Sequence, residues 1–444
     1  MNTIFKNYEG VALIEKSSFH TYKDLTFRIE SLAFEIKNSI EDGDIICIKS
    51  DYSFDSIALF LALSQRKCII VPVVPTTDAE FQSKIVAASV HKVISLKKDV
   101  LEIDKIIRIS EEIPEKYLQI MNKGNSGLVL FSSGTTGVPK VMVHDLTVLI
   151  ESFKIPKKQR RLNFLLFLLF DHIGGVNTLL NCLSNGSQIT IPQNRNPEYI
   201  LQLVQDKKVQ VLPTTPTFLN LILMTENFGK YNISSLKMIT YGTERMPQML
   251  LDKLKNKIPH VKLLQTFGTS ETGIMKTQSK SSASLFFKII DPDYQYKIVE
   301  NQLYLKSKNQ IKGYINQKSA QFLDHEWFAT GDIVATDDEG YIKIIGRINN
   351  VINIGGQKVL PKEVEDVINE IAEIIDTTVY SKSNIITGQM VCADVVISDA
   401  TDKINIKKKI IDKCKKELDK YKIPSKITIS TSLSFSNRFK KTNK

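Results

Sequence analysis

Residues 128–140, LVLFSSGTTGVPK, constrain this chain more than any other stretch. An apolar run, 128–131, reads as a buried strand. It ends in Ser132-Ser133-Gly134-Thr135-Thr136-Gly137, and Pro139-Lys140 closes the segment. Small hydroxyl residues between glycines leave backbone N–H and side-chain O–H groups free to face an anion. A strand that delivers such a loop is a candidate phosphate cradle, with an ordinary surface turn as the alternative. It is not a Walker A loop, because the spacing GxxxxGK[ST] is absent.

The surrounding segments alternate in period. Residues 21–40 carry apolar side chains at Leu25, Ile29, Leu32, Ala33, Ile36 and Ile40, a helical spacing. Residues 44–49 then read as a buried strand, 56–63 as a helix, 68–74 as a strand, 84–90 as a helix and 92–96 as a strand. This alternation predicts a parallel sheet with helices on both faces. Such sheets take ligands at the carboxyl ends of their strands, which is where the loop at 132–137 falls. Three later strands behave alike. Residues 209–212 run into Pro213-Thr214-Thr215-Pro216, 236–241 into Gly242-Thr243-Glu244, and 261–266 into Phe267-Gly268-Thr269-Ser270-Glu271-Thr272-Gly273. Several short polar loops at strand ends suit a nucleotide lying across them. Residues 280–344 switch to alternating segments separated by turns, which predicts a small antiparallel β unit. Beyond it, 362–374 reads as a helix, 378–380 and 390–397 as strands, and 404–420 as a lysine-rich amphipathic helix. The expected division is a main domain over 1–346 and a smaller one over 347–444.

At 444 residues the chain exceeds one ordinary core, so more than one domain is expected. Its net charge of +11 is uneven: residues 401–444 hold 14 Lys/Arg against 4 Asp/Glu, which leaves the remainder at +1. That distribution argues against a nucleic-acid-coating surface. It fits a basic terminal module that meets an acidic partner, or a solvated helix face. The most lipid-like run, 162–170, is too short to span a bilayer. The N-terminus lacks the basic-then-apolar pattern of a secretion signal. Cys47, Cys68, Cys182, Cys392 and Cys414 are scattered without CxxC or metal spacing, which fits reduced thiols. A cytoplasmic protein with no membrane span and no nucleic-acid partner is expected.

Taken in chain order, SSGTTGVPK, FGTSETG at 267–273, TGD at 330–332 and the GR…GG…PKEVE segment from Gly346 resemble one family. It is the ANL superfamily of adenylate-forming enzymes: acyl-CoA synthetases, peptide-synthetase adenylation domains and luciferases. The resemblance runs from Thr21-Tyr22 to Lys441 with the motifs in family order. It implies an α/β fold: a large multi-layer N-terminal domain with parallel sheets and a small β unit, and a small mobile α+β C-terminal domain. It also implies an activity. ATP and a small carboxylic acid give an acyl-AMP and pyrophosphate, and a thiol of CoA or of an acidic carrier protein's phosphopantetheine then takes the acyl group.

Residue by residue, the resemblance places the β/γ-phosphates at Ser132, Ser133, Gly134, Thr135, Thr136 and Gly137, with Lys140 beside them. Ser270 falls at the α-phosphate and Glu271 on Mg²⁺, for which a hard carboxylate oxygen is a suitable ligand. Asp332 would accept from the ribose hydroxyls, with Arg347 near the same sugar. Gly242, Thr243, Glu244 and Phe267 would surround the adenine, and Gly268 belongs to the same nucleotide site. The catalytic lysine of the final loop falls on Lys441, with Lys440 as the alternative. Gly355 and Gly356 lie in the loop that faces the pantetheine. The acid pocket falls to Asp171, His172, Gly174, Thr215 and Tyr241. There Asp171 could greet a substrate ammonium, while His172 lines a pocket or belongs to the core. Two positions depart from the family: Asn349 replaces the hinge acid, and Asn353 replaces a lysine after the hinge. An amino-acid adenylation enzyme that loads a carrier protein, and a non-catalytic nucleotide-binding relative, stay open as alternatives.

Overall fold

The helix Phe54–Gln65 is apolar all round, and its residues from Ser56 to Leu63 are buried. A helix of that kind must have protein on every side. It opens on a capping box, with the Ser53 side chain accepting from the Ser56 amide and the Ser56 side chain answering the Ser53 amide. Together with the helices Tyr22–Glu35 and Ile173–Ser184 it fills one core, to which strands of two different sheets contribute. The computed structural model describes residues 4–5, 8–97, 100–105, 112–132, 139–154, 161–317, 321–397 and 402–431.

The first sheet runs Val100–Lys105, Lys92–Lys97, Ile45–Lys49, Ile69–Val73, Gly127–Ser132, Lys140–Asp145. Its central strands are parallel and both outermost pairings are antiparallel. The second runs Lys262–Gln265, Met238–Tyr241, Val211–Thr214, Asn163–Leu165, Gln188–Ile191, Val11–Glu15, Ser18–Thr21. It is parallel apart from its last pair, a hairpin from the start of the chain. The residues between 277 and 347 make a six-stranded antiparallel sheet, as the alternation predicted. From Ile352 onward the described chain has a core cluster of its own. Its sheet of Gln357–Val359, Ile352–Ile354, Gly388–Ile397, Ile374–Asn384 and Lys426–Ser430 is packed by the helices Pro361–Asn369 and Lys403–Glu417. The observed fold is the mixed α/β architecture expected, a large region of parallel sheets followed by a smaller, β-rich one.

Several boundaries moved. The helix expected over 84–90 is Asp78–Ala87, because Thr77 caps it six residues earlier and accepts from the Glu80 amide. The helix expected over 362–374 stops at Asn369, and Ile374 opens a strand that runs to Asn384. Asp376, Thr377, Thr378, Ser381 and Lys382 interrupt the apolar pattern of that strand, so periodicity exposed only its middle. All five cysteines are free and buried. Among the described residues no helix is long and apolar enough to cross a membrane.

Candidate functional site

Ser132 closes the strand Gly127–Ser132, and Lys140 opens its antiparallel neighbour directly opposite. The glycine-rich loop is thus the connection of an edge hairpin. Ser133, Gly134, Thr135, Thr136 and Gly137 lie outside the described residues, as do Lys440 and Lys441. Ser132 and Lys140, the loop's two described ends, line a cavity of about 680 Å³ together with Ser270, Glu271, His172 and Gly174.

A second cavity, of about 470 Å³, is lined by Gly242, Thr243, Glu244, Phe267, Asp332 and Arg347. The two meet along Gly242, Thr243, Thr266, Phe267, Gly268 and Arg347. Two glycines there answer to close backbone approach. A Cβ on Gly242 would sit 2.5 Å from Thr266 Oγ1, and one on Gly268 would sit 2.3 Å from the Gly273 carbonyl. Thr243 between them has φ +69°, a left-handed conformation uncommon for a side chain of its kind. Strain of this sort gathers at ligand sites. Glu244 Oε1 accepts from the Thr217 amide at 2.6 Å, which ties this loop to the start of the helix Pro216–Met224.

Asp332 and Arg347 are fifteen residues apart and directly cross-strand in the antiparallel sheet. Arg347 Nε donates to Asp332 Oδ1 at 2.9 Å, while Asp332 Oδ2 is buried without a hydrogen-bond partner among the described residues. Burial holds this carboxyl above the usual carboxylate range, with Arg347 pulling the other way. Gln265, Arg245, Lys362 and Asn369 each bring to the same cavity a further buried polar atom without a hydrogen bond among the described residues. An orphaned polar atom costs free energy unless a ligand or water satisfies it. Their concentration around one cavity marks a place built to hold something polar.

Sequence reasoning missed the side chains that hold Glu271. Tyr314 donates to Glu271 Oε1 at 2.7 Å, and the Ile311 amide donates to the Glu271 carbonyl at 2.9 Å. The same segment is stitched to the edge hairpin, since the Ile315 amide donates to the Val141 carbonyl and Asn316 accepts from the Val141 amide. Lys140 Nζ sits 5.2 Å from the centroid of the Tyr314 ring. Buried His144 approaches the Ser270 carbonyl with Nε2 at 2.7 Å and the Asn309 carbonyl with Nδ1 at 3.3 Å. Burial pushes its pKa below the ordinary histidine value, while the two carbonyl contacts pull the other way. No local pattern announces either residue, since their partners lie 43 and 126 positions away. Glu271 keeps Oε2 without a protein partner among the described residues, a geometry that fits a hard cation taking most of its shell from phosphate and water.

The pocket expectations divide. His172 and Gly174 line the larger cavity; His172 also caps the helix Ile173–Ser184, accepting from the Gly174 amide at 3.0 Å. Asp171 does not reach it. It is 1% exposed and turned to the interior, where Lys84 Nζ lies 3.5 Å from its carboxylate. Thr215 caps the helix Pro216–Met224, so its neighbour Thr214 lines the cavity instead. Tyr241 packs into the core, while Thr240 and Gly242 on either side face the cavity, as a strand's period of two requires. Gly355 and Gly356 are exposed, with open space around both. Asn349 lines the larger cavity, and Asn353 Oδ1 accepts from the Gly356 amide at 2.9 Å.

Residues 5–315 match the family described as AMP-binding enzyme, and residues 363–440 the one described as AMP-binding enzyme C-terminal domain. Among curated proteins, the chain is 26% identical to 4-coumarate–CoA ligase CCL1 of Humulus lupulus, over 86% of this chain and 80% of that one. It is 25% identical to 4-coumarate–CoA ligase-like 9 of Arabidopsis thaliana, over 95% and 84%. Among solved structures, ATP-bound MatB of Rhodopseudomonas palustris superposes with a TM-score of 0.82 at 19% identity, covering 97% of this chain and 94% of that one. The o-succinylbenzoate CoA synthetase of Bacillus subtilis, in complex with its acyl-adenylate, gives 0.75 at 18%, covering 98% and 94%. At these identities the structural matches speak to the fold.

Proposed function

Because this chain belongs to the AMP-binding enzyme family, we propose that it is an acid–thiol ligase. It joins a carboxylic acid to the α-phosphate of ATP, releases pyrophosphate, and passes the acyl group from AMP to a thiol. The observation that carries the reading is the pair of adjoining cavities. One has an open carboxylate oxygen at Asp332, and the other has Glu271 and Ser270 facing Ser132 and Lys140.

In this reading Asp332 Oδ2 accepts from a ribose hydroxyl, and Phe267 offers the adenine a flat face opposite Gly242 and Thr243. Ser132 to Gly137 and Lys140 cradle the β- and γ-phosphates, and Ser270 meets the α-phosphate. Glu271 would hold Mg²⁺, which supplies charge neutralisation on the phosphates. Carboxylate attack on phosphate joins two anions, so aligned donors and cations lower the barrier. Lys441 serves as the cation between the reacting groups. We place the pivot between a nucleotide-binding domain, 1–346, and a mobile domain, 347–444. Rotation about it brings Gly355 and Gly356 to the pantetheine of CoA or of a carrier protein. Lys408, Lys415 and Lys416 on the helix Lys403–Glu417 form no ion pair among the described residues, which suits an acidic acceptor. The interior pairing of Asp171 with Lys84 weakens the amino-acid alternative.

The test is carboxylate-dependent ATP–pyrophosphate exchange over a panel of fatty, aryl and amino acids. Pyrophosphate and AMP are the expected products. Release of ADP and phosphate would overturn the assignment.

A further inference from the structure

The helix Ile173–Ser184 divides its faces in an unusual way. Val176, Leu179, Leu180 and Leu183 turn into the core, each at 0% exposure. Gly174, Asn177, Thr178 and Asn181, spaced i, i+3, i+4, i+7, form one stripe along the larger cavity. Leu149 of the helix Leu146–Ser152, Phe153 just past its end, Phe164, and Leu264 near a strand end also line it. A cavity for a plain alkyl chain would be apolar on the helix side as well. Here one wall carries amides and a hydroxyl.

These polar groups are not equally free. Thr178 Oγ1 donates to the Gly174 carbonyl at 2.8 Å, so its proton is used inside the helix. Asn181 Oδ1 accepts from the Asn185 side chain at 3.0 Å. Asn177 makes no side-chain hydrogen bond among the described residues, and its amide offers both a donor and an acceptor. Thr214, at the carboxyl end of its strand, lines the same cavity, with Oγ1 buried and without a hydrogen bond among the described residues. The charged side chains of this cavity, Lys140, Glu271, Lys276, Asp291, Asp293 and Arg347, come from other segments, while the helix and the strands Val211–Thr214, Met238–Tyr241 and Lys262–Gln265 bring no Asp, Glu, Lys or Arg to it. The nearby Asp171 faces Lys84 instead.

We infer that the acid taken here has an uncharged tail, apolar over most of its surface, with a neutral hydrogen-bonding oxygen that Asn177 reads. This rests on the adenylation reading for the carboxylate end and adds the class of tail. A site built to pair with a substrate hydroxyl rejects the analogue without one, because its own buried polar groups are then left unsatisfied.

The experiment uses two matched pairs with the full chain: octanoic acid and its terminally hydroxylated form, and phenylpropanoic acid and its para-hydroxy form. Acid-dependent pyrophosphate release gives kcat/KM for each, and calorimetry gives Kd for each acid in the absence of turnover. Wild type should favour the hydroxylated member of at least one pair by roughly tenfold or more. Asn177→Leu should abolish or invert that ratio while leaving the KM for ATP in place, and Asn177→Ser should keep part of it. A wild-type preference for the apolar member in both pairs would overturn the inference, and so would a ratio that Asn177→Leu leaves untouched. Absence of pyrophosphate release with every acid would refute the adenylation reading instead. The calorimetric ratio and its dependence on Asn177 would then decide the pocket alone: a preference lost in Asn177→Leu sustains it, and no preference overturns it.

Discussion

Asp332 Oδ2 is a buried acceptor with no donor among the described residues, and a ribose hydroxyl would satisfy it. A hydrogen bond to a charged group contributes about 1.5–3 kcal/mol. Asp332→Ala should therefore weaken ATP binding by that amount in calorimetry, and unchanged affinity would remove Asp332 from the nucleotide site. Under the proposed function, Tyr314 would act on the reaction through Glu271. With its hydroxyl gone, the Glu271 carboxylate loses the donor that fixes Oε1 at 2.7 Å. Tyr314→Phe should raise the Mg²⁺ concentration needed for half-maximal exchange severalfold. A fall in rate with no change in Mg²⁺ dependence would mean that Tyr314 only fills space.

The helix Pro361–Asn369 meets the larger region at a seam of charges. Arg245 Nη2 lies 3.3 Å from Glu365 and 3.9 Å from Asp366, with Lys343 contributing from the adjoining strand. Lys362, the second residue of this helix, is buried there without a hydrogen bond, and Asp366 Oδ2 lies 3.6 Å from its amine. Burial, then Arg245, pushes that amine down from 10.5 to about 8. The unfolded chain holds the proton up to the higher value, so between the two it binds more protons than the folded chain. Stability then rises with pH across that window, the opposite of a lysine that gains a partner. Lys362→Met should melt at a higher temperature than wild type at pH 7, and the gap should narrow by pH 10. A gap that stays constant would show that the amine carries no such penalty.

Across the whole molecule, the proposed reaction needs the Gly355–Gly356 loop and the two cavities to serve different half-reactions. In the described arrangement nothing stands within 4 Å of where a Cβ would sit on either glycine, so this loop is not closed on a thiol channel. A lysine on the final loop and the glycine loop would have to act in different arrangements. Lys441→Ala should suppress acyl-adenylate formation yet still convert a supplied acyl adenylate to thioester at nearly the normal rate, because an ammonium between the reacting anions acts in the transition state. Gly356→Trp should do the reverse. Running both half-reactions on both variants, with Lys440→Ala beside them, decides which lysine acts. If all three variants behave as wild type, neither loop takes part.

Much of the site was legible in the chain because its parts are contiguous. Tight turns at strand ends demand glycine, and phosphate cradles demand small donors. Both demands act over a few residues, so 267–273 and 330–332 could be read directly as segments that border the cavities, and 132–140 through its described ends, Ser132 and Lys140. Pairing across the molecule left no such trace. Only tertiary structure set Tyr314 against Glu271 and His144 against Ser270. It turned Asp171 inward to Lys84, 87 positions away, where the motif alone had suggested a pocket acid. It also chose Thr214 over Thr215 and Thr240 over Tyr241, since a strand's alternation is written in the chain but the sheet face that meets the ligand depends on what packs behind it. Local sequence determines backbone shape and the supply of donors. The partner each side chain finds is decided by burial, which every layer of the fold settles together.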